Sequence, residues 1–263
     1  MKLYLLSGII LLYLLVLVFF YFYQRTFLYF PELNNYLTKE TINEENQQLT
    51  VKTSDDISLK SYYYSNKNNT HTILFLHGNA GTLENRIYKL NAIKSLGFNY
   101  LAISWRGFSG NQGEPSEFGL TQDAIAGLNF LNKSGIRDED IYVYGESLGT
   151  GVAINLSISR NLKGLILESP YTSIAEVGKI KFPFLPVNLI LKDKYDSISK
   201  IDKVNCPVLV LHGFSDTIVP FYMGEEIFNN IKSKKYSYFV EDNHMMDFSR
   251  GLIKSLQEFI QKH

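Results

Sequence analysis

The chain opens on a stretch with almost no polar interruption: Leu3 to Tyr23 holds no charged side chain and is built from Leu, Ile, Val, Phe and Tyr nearly throughout. At about 1.5 Å per residue, a helix of this length reaches roughly 30 Å, enough to cross a bilayer. A buried core helix seldom needs an apolar surface on every side. The end of the run, Phe19 to Tyr23, offers none of the small residues that a signal-peptide cleavage site requires. An uncleaved transmembrane anchor over residues 1–24 is therefore predicted. Tyr21, Phe22, Tyr23, Arg25, Phe27 and Tyr29 suit the headgroup region, where amphipathic rings and a snorkelling cation sit well. Lys2 and the α-amino group on one side nearly balance Arg25 and Lys39 on the other, so the charge pattern assigns no orientation.

The pattern then changes. Residues 25–45 show no sustained apolar period, contain Pro31 and the polar run Thr38 to Glu45, and read as a linker. Gln48–Thr53 and Ile57–Ser65 read as two strands joined at Ser54-Asp55-Asp56, an antiparallel hairpin at a sheet edge. From Thr72 on, short apolar runs near 72–77, 98–103, 141–145, 164–168, 206–212 and 235–240 alternate with longer amphipathic ones. The latter lie near 83–96, 119–132, 148–160, 222–231 and 250–261, and this alternation predicts an α/β class with a mostly parallel, doubly wound sheet over residues 46–263. Residues 171–203 interrupt the alternation and are rich in proline and aromatics around Phe182-Pro183-Phe184-Leu185-Pro186. They predict a short cap over the carboxyl edge of the sheet, with a cleft beneath.

Composition narrows the function classes. The 263 residues carry 26 Lys plus Arg against 26 Asp plus Glu, a formal net charge of zero, so the chain lacks the basic footprint of a nucleic-acid binder. The single cysteine, Cys206, cannot form an intramolecular disulfide, and buried packing at the start of a strand is its expected role. No Cys/His spacing points to a structural zinc site, and no metal or cofactor is predicted.

Chemistry concentrates in Gly145-Glu146-Ser147-Leu148-Gly149, a G-x-S-x-G pentapeptide between the strand-like Ile141–Tyr144 and a helical segment beginning at Leu148. A serine on a sharp strand-to-helix turn projects its hydroxyl into a cleft, and small flanking residues permit the close backbone approach that the turn demands. A serine hydroxyl needs an imidazole to take its proton and a carboxylate to orient that imidazole. His244, on the loop before the last helix, is the expected base. Asp216, after the strand at 206–212, is the expected acid, with Glu168 as a second candidate, and Asp242 and Asp247 are expected to be solvated. The chain order Ser147, Asp216, His244 is that of the strand–turn–helix nucleophile architecture. His77 and His212 end strands as His-Gly pairs and are expected to pack or cap. The oxyanion hole is expected from the backbone N–H of Leu148 and of Asn79, the latter in the turn His77-Gly78-Asn79-Ala80-Gly81. Glu146 is expected either to be solvated or to stand directly behind the reacting groups, with little functional weight.

Several separate blocks give the sequence a family likeness: His77–Gly81; Trp105-Arg106-Gly107-Phe108-Ser109-Gly110 with Gly113–Glu117; Tyr144–Gly149; Glu168-Ser169-Pro170-Tyr171-Thr172-Ser173; and His212-Gly213 leading to Asp216. Over residues 45–262 it resembles the α/β-hydrolase fold superfamily. Within that superfamily it is similar to the membrane-anchored α/β-hydrolase domain proteins, which include depalmitoylating thioesterases and bacterial relatives. The resemblance implies Ser147, Asp216 and His244 as a catalytic triad, with Asn79 and Leu148 at the oxyanion hole. The chain departs from relatives in lacking a glycine shortly before His244 and a small polar pair after it. It also carries Trp105 where Tyr is common, a ring that could narrow the cleft.

The expected function is a membrane-anchored serine hydrolase that cleaves an ester or thioester through an acyl-enzyme. The anchor favours a lipid-like substrate or an acylated protein, and Phe182, Phe184 and Leu185 of the cap are compatible with an acyl chain. The alternatives are a serine peptidase of the same fold and a non-catalytic membrane-anchored binding protein that keeps a hydrolase shell.

Overall fold

The computed structural model describes residues 2–31, 47–66 and 69–263. Helix α1 (Lys2–Tyr23) runs into a 3-10 turn at Gln24–Phe27. The stretch Tyr4–Phe27 is long and apolar enough to cross a membrane, and none of its most apolar window is buried against the rest of the protein. The greater part of the expected 25–45 linker lies outside the described residues, but its beginning does not hang free. Tyr29 is buried, and Phe30 forms a parallel bridge with Ala80.

The remainder is an eight-stranded sheet flanked by helices. Strands β1 (Gln47–Lys52) and β2 (Ser58–Tyr64) form the antiparallel edge hairpin; β3 (Thr72–Leu76), β4 (Asn99–Ile103), β5 (Ile141–Glu146), β6 (Gly164–Glu168), β7 (Val208–Gly213) and β8 (Lys235–Val240) are parallel. The order is β1-β2-β4-β3-β5-β6-β7-β8. Crossovers are made by α2 (Ile87–Ser95), α3 (Glu117–Lys133), α4 (Leu148–Ser157) and α7 (Phe221–Asn230), and α8 (Arg250–Lys262) closes the chain. The central strands read as continuous apolar runs because both faces are covered. Along β3, Leu74 and Leu76 face one core with Leu128 of α3, Val152 of α4 and Ile227 of α7, whereas Ile73 and Phe75 face the other with Leu90 of α2 and Leu256 of α8.

The segment between β6 and β7 supplies the cap, with α5 (Ile174–Lys181) and α6 (Val187–Ile190). Its small apolar cluster of Ala175, Leu185 and Val187 packs against Val16, Leu17 and Phe20 of α1, so the apolar helix and the cap share one contact. Cys206 is largely enclosed at the start of β7, and burial pushes its thiol up to about 12, which leaves it unreactive at neutral pH. Trp105 does not enter the cleft. It is fully buried, and its indole N–H donates to the His77 carbonyl at 2.9 Å.

Candidate active site

The chain turns sharply where β5 meets α4. Ser147 sits at φ 49°, ψ −116°, a region that a residue with a Cβ occupies only at a cost of about 1–3 kcal/mol. Neighbouring contacts hold it there: its N–H donates to the Glu168 carbonyl at 2.8 Å, and its own carbonyl accepts from the Thr150 hydroxyl at 2.6 Å. The two flanking glycines are steric necessities. A Cβ on Gly145 would stand 2.7 Å from the Gly149 carbonyl oxygen, and one on Gly149 would stand 2.1 Å from the Leu76 carbonyl oxygen.

The three sequence-predicted side chains meet. The Ser147 Oγ is 2.8 Å from His244 Nε2, and His244 Nδ1 is 2.7 Å from Asp216 Oδ2. All three residues are buried. His244 arrives on the loop after β8, whose backbone is fixed by the Ser169 hydroxyl donating to the His244 carbonyl at 2.9 Å. Asp216 does two jobs. Its Oδ1 accepts from the Ile218 and Val219 N–H groups, each at 2.8 Å, capping the turn, while Oδ2 faces the imidazole. Burial alone would raise its carboxyl pKa, but hydrogen bonds from His212 and His244 outweigh that and hold it far below the usual carboxylate range. His212 Nε2 lies 3.3 Å from Asp216 Oδ2 and 3.0 Å from the Val219 carbonyl, so this fully buried histidine braces the acid.

The carboxylate of Glu168 is not at the imidazole. It accepts from Lys89 Nζ at 2.6 and 2.9 Å and from the Tyr144 hydroxyl at 2.5 Å. Asp242 accepts from the N–H groups of Asn243 and Asp247 and shapes the histidine loop. Glu146 is not solvated: it is buried directly behind the reacting groups, the second of the two placements expected for it. Arg86 reaches its Oε1 at 2.6 Å and Lys89 its Oε2 at 2.7 Å, and Oε1 accepts the Gly78 N–H at 3.1 Å. Sequence reasoning missed this group of Arg86, Lys89, Glu146 and Glu168. The available signal was charge at apolar positions: Lys89 lies among the buried Ile87, Leu90 and Ile93 of α2, and both glutamates end apolar strands.

The group bears directly on the loop 77–81. The Gly78 N–H is committed to Glu146 and is not free to meet an oxyanion. Asn79 lines the same cavity as Ser147 and Leu148, its side chain donates to the Leu28 carbonyl at 2.6 Å, and its carbonyl accepts the Phe30 N–H at 2.8 Å. Leu148 is the first residue of α4, where a backbone N–H has no partner within the helix. Beneath the loop, burial and then the Arg86 charge push the His77 imidazole down to about 3, so it is neutral. Its Nδ1 bonds the Gly78 carbonyl at 2.8 Å, and its Nε2 accepts the Trp105 N–H at 3.3 Å.

Above Ser147 lies a cavity of about 280 Å³. Ile174, Phe182 and Leu185 of the cap line it, and so do Phe20, Phe27 and Phe30 from the amino-terminal segment. Phe184 does not: it is exposed and lies edge-on to Phe20 and Phe182. A serine–imidazole–carboxylate relay at the floor of an apolar cavity, beside a helix amino terminus, can carry out acyl transfer.

Comparison with known proteins agrees with this architecture. A family model described as the alpha/beta hydrolase fold matches residues 71–186. The uncharacterized protein Rv2307c of Mycobacterium tuberculosis is 36% identical over 215 residues, 81% of this chain and 76% of that protein. The chain belongs to the α/β-hydrolase superfamily and is related to its ABHD members. Lysophosphatidylserine lipase ABHD12 of Danio rerio is 35% identical over 177 residues, 60% of this chain and 46% of the lipase, so the chain spans less than half of that relative's length. Among solved structures, the Pyrococcus furiosus esterase Pf2001 superposes with a TM-score of 0.70 at 21% identity, covering 83% of this chain and 92% of the esterase, a likeness of fold. The fold and family are those of a hydrolase, and the lipase and esterase activities are those of the relatives named.

Proposed function

We propose that the chain is a membrane-anchored serine hydrolase that cleaves acyl esters or thioesters through an acyl-enzyme on Ser147. Residues 1–24 are its anchor and 46–263 its hydrolase domain. The observation that carries the reading is the relay from Ser147 Oγ through His244 to Asp216, at 2.8 and 2.7 Å, opening on an apolar cavity. Asp216 accepts the Nδ1–H of His244, which leaves Nε2 facing the serine hydroxyl as acceptor. Ser147 Oγ attacks the substrate carbonyl as its proton passes to Nε2, and the tetrahedral oxyanion is met by the N–H groups of Leu148 and Asn79. Each such donor is worth roughly 3 kcal/mol of transition-state stabilisation. Collapse returns the proton to the departing alkoxide or thiolate and leaves the acyl group on Ser147. Water, activated by the same imidazole, then releases the acid and restores the serine.

The apolar helix α1 and the lipase named among the relatives support a lipid-like ester. Purified protein should hydrolyse a series of acyl esters and thioesters, with little turnover of a matched peptide amide, and Ser147→Ala should abolish it. Preferential amide cleavage would make the protein a peptidase instead. Absence of all turnover in folded protein would favour a binding protein with a hydrolase shell.

A further inference from the structure

The residues that follow the apolar helix are built into the site. Gln24 is buried, its Nε2 donating to the Ile190 carbonyl at 3.1 Å and its Oε1 accepting the Lys192 N–H at 2.6 Å. Arg25 pairs with Asp193 at 2.8 Å, and the Tyr29 hydroxyl meets Asp193 Oδ2 at 3.2 Å and the Tyr195 hydroxyl at 2.9 Å. These contacts grip the cap. On its other side the segment grips the loop 77–81, through Phe30 N–H to the Asn79 carbonyl and Gly81 N–H to the Phe30 carbonyl at 3.0 Å. The same stretch of chain lines the cavity above Ser147 with Phe20, Phe27 and Phe30.

The cap also carries exposed apolar side chains of its own. Ile180, Phe184 and Leu189 of the cap are 50%, 57% and 85% exposed. Single exposed apolar residues need no explanation, but these sit on the cap that packs against α1, and the Tyr13 hydroxyl of α1 donates to the Phe184 carbonyl at 2.9 Å. Lys192 lies over the Tyr21 ring at 4.1 Å, an aromatic–cation pair suited to the headgroup level. At about 280 Å³ the cavity is at the lower end of small-molecule sites, a size for one acyl chain rather than two.

We propose that the end of α1 and the segment through Phe30 form a wall of the acyl-binding site, and that the cavity mouth, with Ile180, Phe184 and Leu189, is seated in the bilayer surface. The acyl chain of a single-chain lipid ester then passes from the membrane along Phe20 and Phe27 to Ser147 without crossing water. This rests on Ser147 being the nucleophile. The residues of the wall set which chain lengths are accepted.

The test uses the full chain reconstituted in phosphatidylcholine vesicles, comparing a vesicle-borne palmitoyl ester with a water-soluble acetyl ester. Far-ultraviolet circular dichroism checks that each variant is folded, and fluorophosphonate labelling checks that Ser147 is reactive. Phe20→Trp and Phe27→Trp, which thicken the wall, should lower the palmitoyl-to-acetyl ratio of kcat/KM by about tenfold. The pair Ile180→Asp and Leu189→Asp should lower the same ratio by weakening the seat of the mouth in the lipid. Labelled variants whose ratios equal that of the wild type would overturn the proposal. Unlabelled but folded wild-type protein would instead overturn the reading of Ser147 on which it rests.

Discussion

Replacing Lys89 with methionine keeps the length of the side chain and removes its charge from a site closed to water. Lys89 and Glu168 are wholly buried and Glu146 and Arg86 nearly so, and the two cations and two carboxylates cancel. Burial alone would lower the Lys89 pKa, but Glu146 and Glu168 beside it outweigh that and hold it above the usual lysine range. In Lys89→Met one net negative charge is left behind. Glu146 keeps Arg86, and among the described residues the Glu168 carboxylate keeps the Tyr144 hydroxyl alone, so the carboxylate pair is relieved of its excess charge by one proton. Holding a glutamate of ordinary pKa, about 4.3, protonated at about pH 7 costs roughly 1.36 kcal/mol for each of about 2.7 units, or about 4 kcal/mol. That lies within the range of about 3–5 kcal/mol for breaking a buried ion pair. The variant's native state then binds a proton that its unfolded chain releases, so its deficit grows as pH rises above about 4.3 and shrinks to about 1 kcal/mol at about pH 5. Urea unfolding of the full chain in micelles, followed by the fluorescence of its single tryptophan, Trp105, measures both values. Adding Glu168→Gln should recover most of the loss. A deficit under about 1 kcal/mol at about pH 7, or one equal at the two pH values, would refute the reasoning.

Gly149→Ala places a Cβ 2.1 Å from the Leu76 carbonyl oxygen and 2.9 Å from that of His77, strand-end backbone that cannot withdraw. It should destabilise the protein by about 3 kcal/mol or more in the same unfolding assay and abolish labelling of Ser147. Asp216→Asn should lower kcat by about 10⁴-fold in ester hydrolysis. The depressed Asp216 pKa also has a pH signature. A carboxyl held low by His212 and His244 contributes stability that is present above its unfolded pKa, about 3.9, and is lost as pH falls. The stability margin of wild type over Asp216→Asn should therefore be constant above about pH 5 and narrow below about pH 4; a margin that widens on acidification would contradict this.

The sheet and the meeting of Ser147, Asp216 and His244 were legible because each rests on local signals: apolar runs of strand length, a glycine-flanked serine, and loops that follow parallel strands and so emerge at one edge. Element ends shifted by a few residues only, as with β7 starting at Val208 rather than 206. Two features were not legible. Residues 24–31 have no apolar period, and their partners Ile190, Lys192 and Asp193 lie more than 160 positions away, so nothing local marks them as part of the domain. The Arg86–Glu146–Lys89–Glu168 group was hidden for a different reason. Charged side chains usually mark solvated faces, and only the three-dimensional pairing of opposite charges makes their burial tolerable. Trp105 misled for a related reason, since a large ring beside a cleft motif is as well suited to supporting the loop 77–81 from below as to filling the cleft.

The central claim is that Ser147 is the nucleophile, activated by His244 and Asp216. Intact-protein mass spectrometry after reaction with a fluorophosphonate tests it most directly. A single adduct mapped to Ser147, absent in Ser147→Ala and formed far more slowly in His244→Ala, is the predicted result. Folded wild-type protein that forms no adduct, or forms one at another residue with Ser147→Ala unaffected, would contradict it.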